Sequence, residues 1–123
     1  MKMGVTEVAE SGFFRKSMEH YIKQYADTTC VFLVCSDDIE WCKAHLHFSD
    51  WDIFFIEGYS GYVDLSTLSQ CNHTIIGNAK STFGWWASFL AGGDTIYFKQ
   101  TQLWNALNIG DETLLPHWIP MSN

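Results

Sequence analysis

The chain has 123 residues, enough for one domain, with 47% apolar residues and a net charge of −7 at neutral pH. Arg15 is its only arginine, so the clustered cations that nucleic-acid binding or a basic membrane patch requires are missing, and both functions are excluded. No apolar run approaches the roughly 20 residues of a membrane helix, no hydrophobic signal region follows Met1-Lys2-Met3-Gly4, and Cys30, Cys35, Cys42 and Cys71 contain no CxxC pair, which makes them buried small residues rather than a zinc or disulfide framework.

Residues 1–10 carry no periodic pattern and are expected to be disordered. Ser11 is placed to cap a first helix, in which Phe14, Met18, Tyr21, Ile22 and Tyr25 recur at helical spacing. The continuous apolar run from Thr29 to Cys35 predicts a strand covered on both faces. Ser36 and Asp37 end it and can cap a second helix with Ile39, Cys42 and Leu46 as its apolar stripe. A second strand is expected over Asp52–Ile56, then a loop from Gly58 to Gly61, then a short helix capped by Asp64 with Leu65 and Leu68 inward. His73–Gly77 reads as a third strand. Asn78-Ala79-Lys80 reads as a tight loop, and Ser81 as the cap of a helix through Trp85, Trp86, Phe89 and Leu90 that stops at Gly92-Gly93. Thr95–Phe98 is the fourth strand, and residues 101–123 are expected to form an irregular tail holding both prolines, Pro116 and Pro120.

This alternation predicts a single α/β domain over residues 1–123: a Rossmann-like parallel sheet of about four strands with helices on both faces. Ligands of such sheets bind outside the carboxyl ends of the strands. Here those ends are Ser36-Asp37, the loop from Glu57 to Asp64, and Asn78 to Phe83. In the last of these, a strand, a small-residue turn and a helix start follow one another. The backbone N–H groups at Ser81 to Gly84, the Ser81 and Thr82 hydroxyls and the Lys80 charge suit a phosphate. Asp64, on the same edge, suits a ribose or a guanine edge. Each of these features also serves ordinary helix capping. His45, His47 and Asp50 have no spacing that makes a metal site. Asn72-His73-Thr74 is a glycosylation sequon between a helix and a core strand, where a buried, unmodified Asn72 is expected.

Three strings are more specific. Asp64-Leu65-Ser66-Thr67-Leu68-Ser69-Gln70-Cys71-Asn72-His73-Thr74-Ile75, Ser81-Thr82-Phe83-Gly84-Trp85-Trp86-Ala87 and Gly92-Gly93-Asp94-Thr95-Ile96-Tyr97 together closely resemble the galactoside α-1,2-fucosyltransferases. Weaker agreement in the same order runs from Val31 to Trp41-Cys42 and through Leu115-Pro116-His117-Trp118, so the resemblance spans nearly the whole chain.

The resemblance implies half of a two-Rossmann-domain glycosyltransferase of the GT-B type. It implies inverting transfer of L-fucose from GDP-fucose to a galactoside in α-1,2 linkage, with no metal and no cofactor besides the donor. This chain corresponds to the C-terminal, GDP-binding part. By resemblance, Asp64 matches an acid that holds GDP, and Thr82-Phe83 matches a Ser/Thr-Phe pair that meets the phosphates. The galactose-terminated acceptor would be met by a domain that lies elsewhere. The resemblance places a longer parent in the Golgi lumen, with this segment soluble on its own. The family's His-x-Arg-Arg-x-Asp motif would precede the segment matching Gly4-Val5, and the sequence begins after it. The isolated chain is therefore expected to be inactive, and no catalytic base is assigned. The alternative is a non-catalytic nucleotide-binding or interaction domain from a truncated or degenerate gene.

Overall fold

In the computed structural model the chain is described over residues 9–48, 50–58, 61–77, 82–99 and 115–123. The elements run α1 (Ser11–Gln24), β1 (Val31–Val34), α2 (Ile39–His45), β2 (Asp52–Phe55), α3 (Gly61–Ser69), β3 (Thr74–Ile76), α4 (Thr82–Ala91), β4 (Thr95–Phe98) and β5 (Ile119–Met121). Every pairing among these strands is parallel. The α/β class and the helix–strand alternation therefore stand. Of the segment 1–10 expected to be disordered, residues 1–8 lie outside the described residues, as do the tight loop over residues 78–80 and Ser81, while Ala9 is buried and Glu10 directly precedes α1.

The strand count and grouping differ from the expectation of one sheet of about four. Among the described residues, five strands fall into two sheets, β1-β2 and β3-β4-β5. Apolar runs specify burial but not which run pairs with which, so the break between β1 and β3 leaves no trace in composition. The irregular tail also requires correction, because Ile119–Met121 adds to β4 with Ile96 opposite Ile119 and Phe98 opposite Met121. Pro120 lies within this strand and lacks an N–H. An outer position, with β4 on one side only, is where a sheet accepts proline. The central strand β4 is buried at all four positions, as a strand covered on both faces should be.

Helix α1 ties the two sheets together. Its buried face is Phe13, Ser17, Met18 and Tyr21, one residue round from the stripe expected through Phe14. Phe13, Tyr21, Ile96 and Phe98 form one apolar core with Ala9, and Phe14 and Met121 pack at its margin. The Tyr21 hydroxyl donates to the Thr74 carbonyl at the start of β3 (2.8 Å), while the Cys30 thiol beside β1 meets the Tyr21 carbonyl (3.7 Å). A second core joins Ile76, Tyr97 and Trp118, with Trp85 of α4 against it.

Local caps depart from the reading in a consistent way. Helix α1 begins at Ser11, and its capping residue is Glu10, whose side chain makes no cap bond. Instead the Asn123 side-chain oxygen accepts from the Glu10 N–H at 2.7 Å, so a distant residue supplies the acceptor. Helix α2 is capped by Asp38, which accepts from the Trp41 N–H at 3.3 Å, and not by Ser36 or Asp37. Helix α4 ends as expected, with Gly92 at φ +78°, a left-handed conformation that favours glycine.

The turns at the amino edge of the three-stranded sheet interlock. The Asp94 N–H donates to His73 Nδ1 (2.9 Å), and the Tyr25 hydroxyl donates to the Asp94 carboxylate (2.8 Å). The His73 ring stacks on Tyr25 with centroids 4.6 Å apart, and on Tyr21 at 5.5 Å. Turning His73 inward turns Asn72 outward, so Asn72 is exposed rather than buried as expected.

Candidate functional site

Parallel pairing puts the segments that follow the strands of each sheet on one edge. After β1 come Cys35, Ser36 and Asp37. After β2 come Glu57, Gly58 and the first turn of α3. After β3 comes Gly77, and after β4 comes Lys99. Cys35 lies within electrostatic reach of Asp64 and Cys71, which places the exit of β1 beside both ends of α3. Helix α3 packs along α4, so the start of α4 belongs to the same neighbourhood.

Asp64 is the most informative residue of the edge. It is not a helix cap, because α3 already begins at Gly61 and holds Asp64 in its first turn. There the partly positive end of the helix favours a carboxylate. One of its oxygens, Oδ1, is buried and has no hydrogen-bond partner among the described residues. A carboxylate oxygen removed from water and left unsatisfied costs free energy unless something else donates to it.

The remaining predicted residues divide. Ser36 and Asp37 are exposed, and the Ser36 hydroxyl is occupied locally, accepting from the Asp38 N–H at 3.0 Å. Ser81, with Asn78, Ala79 and Lys80, lies outside the described residues. Thr82 opens α4, and Phe83 beside it is 39% exposed, a large apolar ring presented at the helix start. The apolar surface continues along α4 through Trp86 and Phe89, each 46% exposed.

The cations are mostly engaged elsewhere. The Arg15 guanidinium lies 5.5 Å from the centre of the Phe48 ring and 5.7 Å from that of Trp51, a cation–π contact with both rings at the loop leading into β2 and so at the opposite edge. Lys43 pairs with Glu57, and that hydrogen bond raises its pKa. Lys99, which no sequence motif singles out, is exposed, directly follows β4, and lies two residues beyond the Ile76–Tyr97 pair, alongside the exit of β3. Its position could be anticipated only from the strand register.

His45 and His47 are accounted for by packing. His45 stacks on Trp41 at 4.5 Å and its Nδ1 meets the Trp41 carbonyl at 2.9 Å, while His47 lies by Phe55. Among the described residues no group of three or more His, Cys, Asp or Glu is arranged to hold a metal ion, and no helix is long and apolar enough to cross a membrane.

The four cysteines are free thiols; Cys42 is buried, and the other three are partly buried. Burial, with Asp64 and Cys71 nearby, pushes the Cys35 thiol up to about 11 from 9.0. Burial also raises Cys71 and the Tyr21 phenol. The folded chain thus keeps these protons at a pH where the unfolded chain has begun to lose them. The stability that the Cys35 shift contributes is fully present below pH 9 and is lost as pH rises from there towards 11. The urea midpoint is expected to fall over that interval, and to fall less steeply in Cys35→Ala; a wild-type midpoint flat from pH 8 to 11 would contradict this.

Comparison with known proteins finds relatives of one kind. Galactoside alpha-(1,2)-fucosyltransferase 1 of Saimiri sciureus is 35% identical over 119 residues, covering 91% of this chain and 31% of its own length. Galactoside alpha-(1,2)-fucosyltransferase 2 of Rattus norvegicus is 36% identical over 120 residues, covering 91% of this chain and 32% of its own. The corresponding enzyme of Mus musculus is 42% identical over 100 residues, covering 78% and 27%. The chain therefore spans about a third of the length of these curated relatives. No solved structure matches. The family model of glycosyl transferase family 11 matches residues 1–122, and the chain belongs to that family.

Proposed function

We propose that this chain is the donor-binding part of a galactoside α-1,2-fucosyltransferase and that it holds the GDP moiety of GDP-fucose at the carboxyl edge of its strands. The observation that carries the reading is the buried, unpartnered Asp64 Oδ1 in the first turn of α3, next to α4. A ribose hydroxyl or a guanine N–H would satisfy it. The start of α4 supplies backbone N–H groups and a partial positive charge for the diphosphate, with Ser81 and Thr82 as further donors. Phe83 offers an exposed ring beside them, and Lys99 offers a cation on the same edge. Ser36 and Asp37 have a lesser part, since Ser36 is spent on the α2 turn. In the longer protein the galactoside acceptor meets a different domain, and transfer takes place in the Golgi lumen without a metal.

The reading is tested by measuring GDP affinity and folding stability on the same variants. Hydrogen bonds to a charged group contribute about 1.5–3 kcal/mol, so Asp64→Ala should weaken GDP binding by about tenfold or more. Its folding stability should stay within about 1 kcal/mol of the parent, because relief of an unsatisfied oxygen offsets the lost helix-end charge. Thr82→Ala should also weaken binding, and Asp37→Ala should weaken it less. Equal affinity for the Asp64→Ala and parent chains would remove Asp64 from the site.

A further inference from the structure

Asn72-His73-Thr74 is the one Asn-x-Ser/Thr sequence in the chain, and the nucleotide site makes no use of it. It lies in the bend between α3 and β3, before the strand, and so on the amino edge of the sheet, opposite Gly77 and the start of α4. Its neighbours are fixed. The His73 ring is held between the Asp94 N–H and the Tyr25 and Tyr21 rings. The Thr74 hydroxyl is buried against that of Thr95, 2.7 Å away. Asn72 alone of the three residues is exposed, and its side-chain amide makes no hydrogen bond among the described residues. A large polar group on Asn72 would project into water without displacing any of these contacts.

We propose that Asn72 is a site of N-linked glycosylation, filled before β3 forms. The proposal rests on the reading of the longer protein as a lumenal glycosyltransferase. Asn72 Nδ2 forms a bond to C1 of the first sugar of a lipid-diphosphate-linked oligosaccharide. The bond from that C1 to the diphosphate oxygen breaks, the lipid diphosphate departs, and the displaced amide proton passes to solvent. The oligosaccharyl transferase reads the hydroxyl of the residue two places on. In the fold that hydroxyl belongs to Thr74 and is closed off against Thr95, so the extended chain is the substrate and the folded chain is not. The finished glycan stands at the amino edge and leaves the carboxyl edge open to GDP.

The full chain, carried into the lumen of a eukaryotic cell by a cleavable leader and bearing a reporter sequon appended after Asn123, provides the test. Molecules that carry the reporter glycan are expected to carry a second N-glycanase-sensitive glycan. Asn72→Gln and Thr74→Ala should each remove it, and Thr74→Ser should keep it. Reporter-modified parent chain with one glycan only would overturn the proposal. With purified transferase and lipid-linked donor, the denatured chain should be modified and the folded chain should not; equal modification of both would overturn the stated order of events. GDP titration of the glycosylated and enzymatically deglycosylated chain reads the nucleotide site separately. Equal affinities are expected, loss of binding in both speaks against the nucleotide reading alone, and loss only in the glycosylated form would contradict the placement of Asn72 on the opposite edge.

Discussion

Gly93→Ala is expected to destabilise the fold by about 3 kcal/mol or more, the upper range for forcing an atom into a closed space. A Cβ at this position would lie 1.7 Å from the Asn72 carbonyl oxygen, 2.9 Å from the Asn72 carbonyl carbon and 2.7 Å from His73 Nδ1. Two of these three obstacles are backbone, which cannot swing aside as a long side chain can. Moving the Asn72 peptide would pull His73 off the Asp94 N–H and off Tyr25, and those contacts join α1, β3 and the α4–β4 turn. Gly12→Ala is the matched control. It stands in α1, where a Cβ would meet only the Asn123 carbonyl carbon at an ordinary 3.7 Å. Alanine is the better helix former by up to about 1 kcal/mol, so this variant should be as stable as the parent or more so. Urea midpoints of the two variants check the contrast; a Gly93→Ala midpoint equal to the parent's would show that the amino-edge turns are not packed as described.

Phe13→Ala should cost about 3–5 kcal/mol, the usual range for truncating a buried aromatic residue. Phe13 is fully buried, and its ring meets Phe14 and Phe98 edge-on at centroid distances of 5.0 and 5.4 Å. These are favourable aromatic geometries worth something beyond the buried area. The vacated space would be bounded by Phe98 and Ile96 on the central strand β4, which have no room to collapse into it without breaking pairing on both sides. Phe13→Leu keeps most of the volume and should cost less than about 1.5 kcal/mol. The measurement is thermal or urea unfolding of the three proteins. An alanine variant within 1 kcal/mol of the parent would mean that α1 does not seat on the β3-β4-β5 sheet through this residue.

How far the sequence discloses such features depends on whether they are local. The Gly92-Gly93 stop of α4, the apolar run that becomes β4 and the alternation of helices and strands are all local, and each is found where it was expected. The division into two sheets and the strand at Ile119–Met121 are decided by pairing over long distances, and a three-residue strand containing proline announces nothing. Capping fails for a similar reason. Ser11, Ser36, Asp37 and Asp64 are all competent caps, but Asn123 and Asp38 have the geometry and take the roles. At the candidate site, Asp64 was legible as an acid on the right edge. That one of its oxygens is buried without a partner is a property of packing around α3. Lys99 became visible only through the register of β4 against β3, and the exposure of Asn72 only through the inward turn of His73.

The central claim is that a nucleoside diphosphate binds at the carboxyl edge, between the first turn of α3 and the start of α4. Amide NMR of the 123-residue chain during titration with GDP tests it most directly. A helix end contributes up to about 2 kcal/mol in a partly buried geometry, and hydrogen bonds from Thr82 and its neighbours add to it. Against these stands the net charge of −7. The sum corresponds to weak binding, in the range of about 1 mM and above, which should weaken further as salt is added. The account predicts shifts that saturate with GDP, centred on Asp64 and on residues 78–84, with Arg15, Phe48 and Asn72 unmoved. A folded chain whose shifts centre on the opposite edge, or which shows none at high GDP, would contradict it.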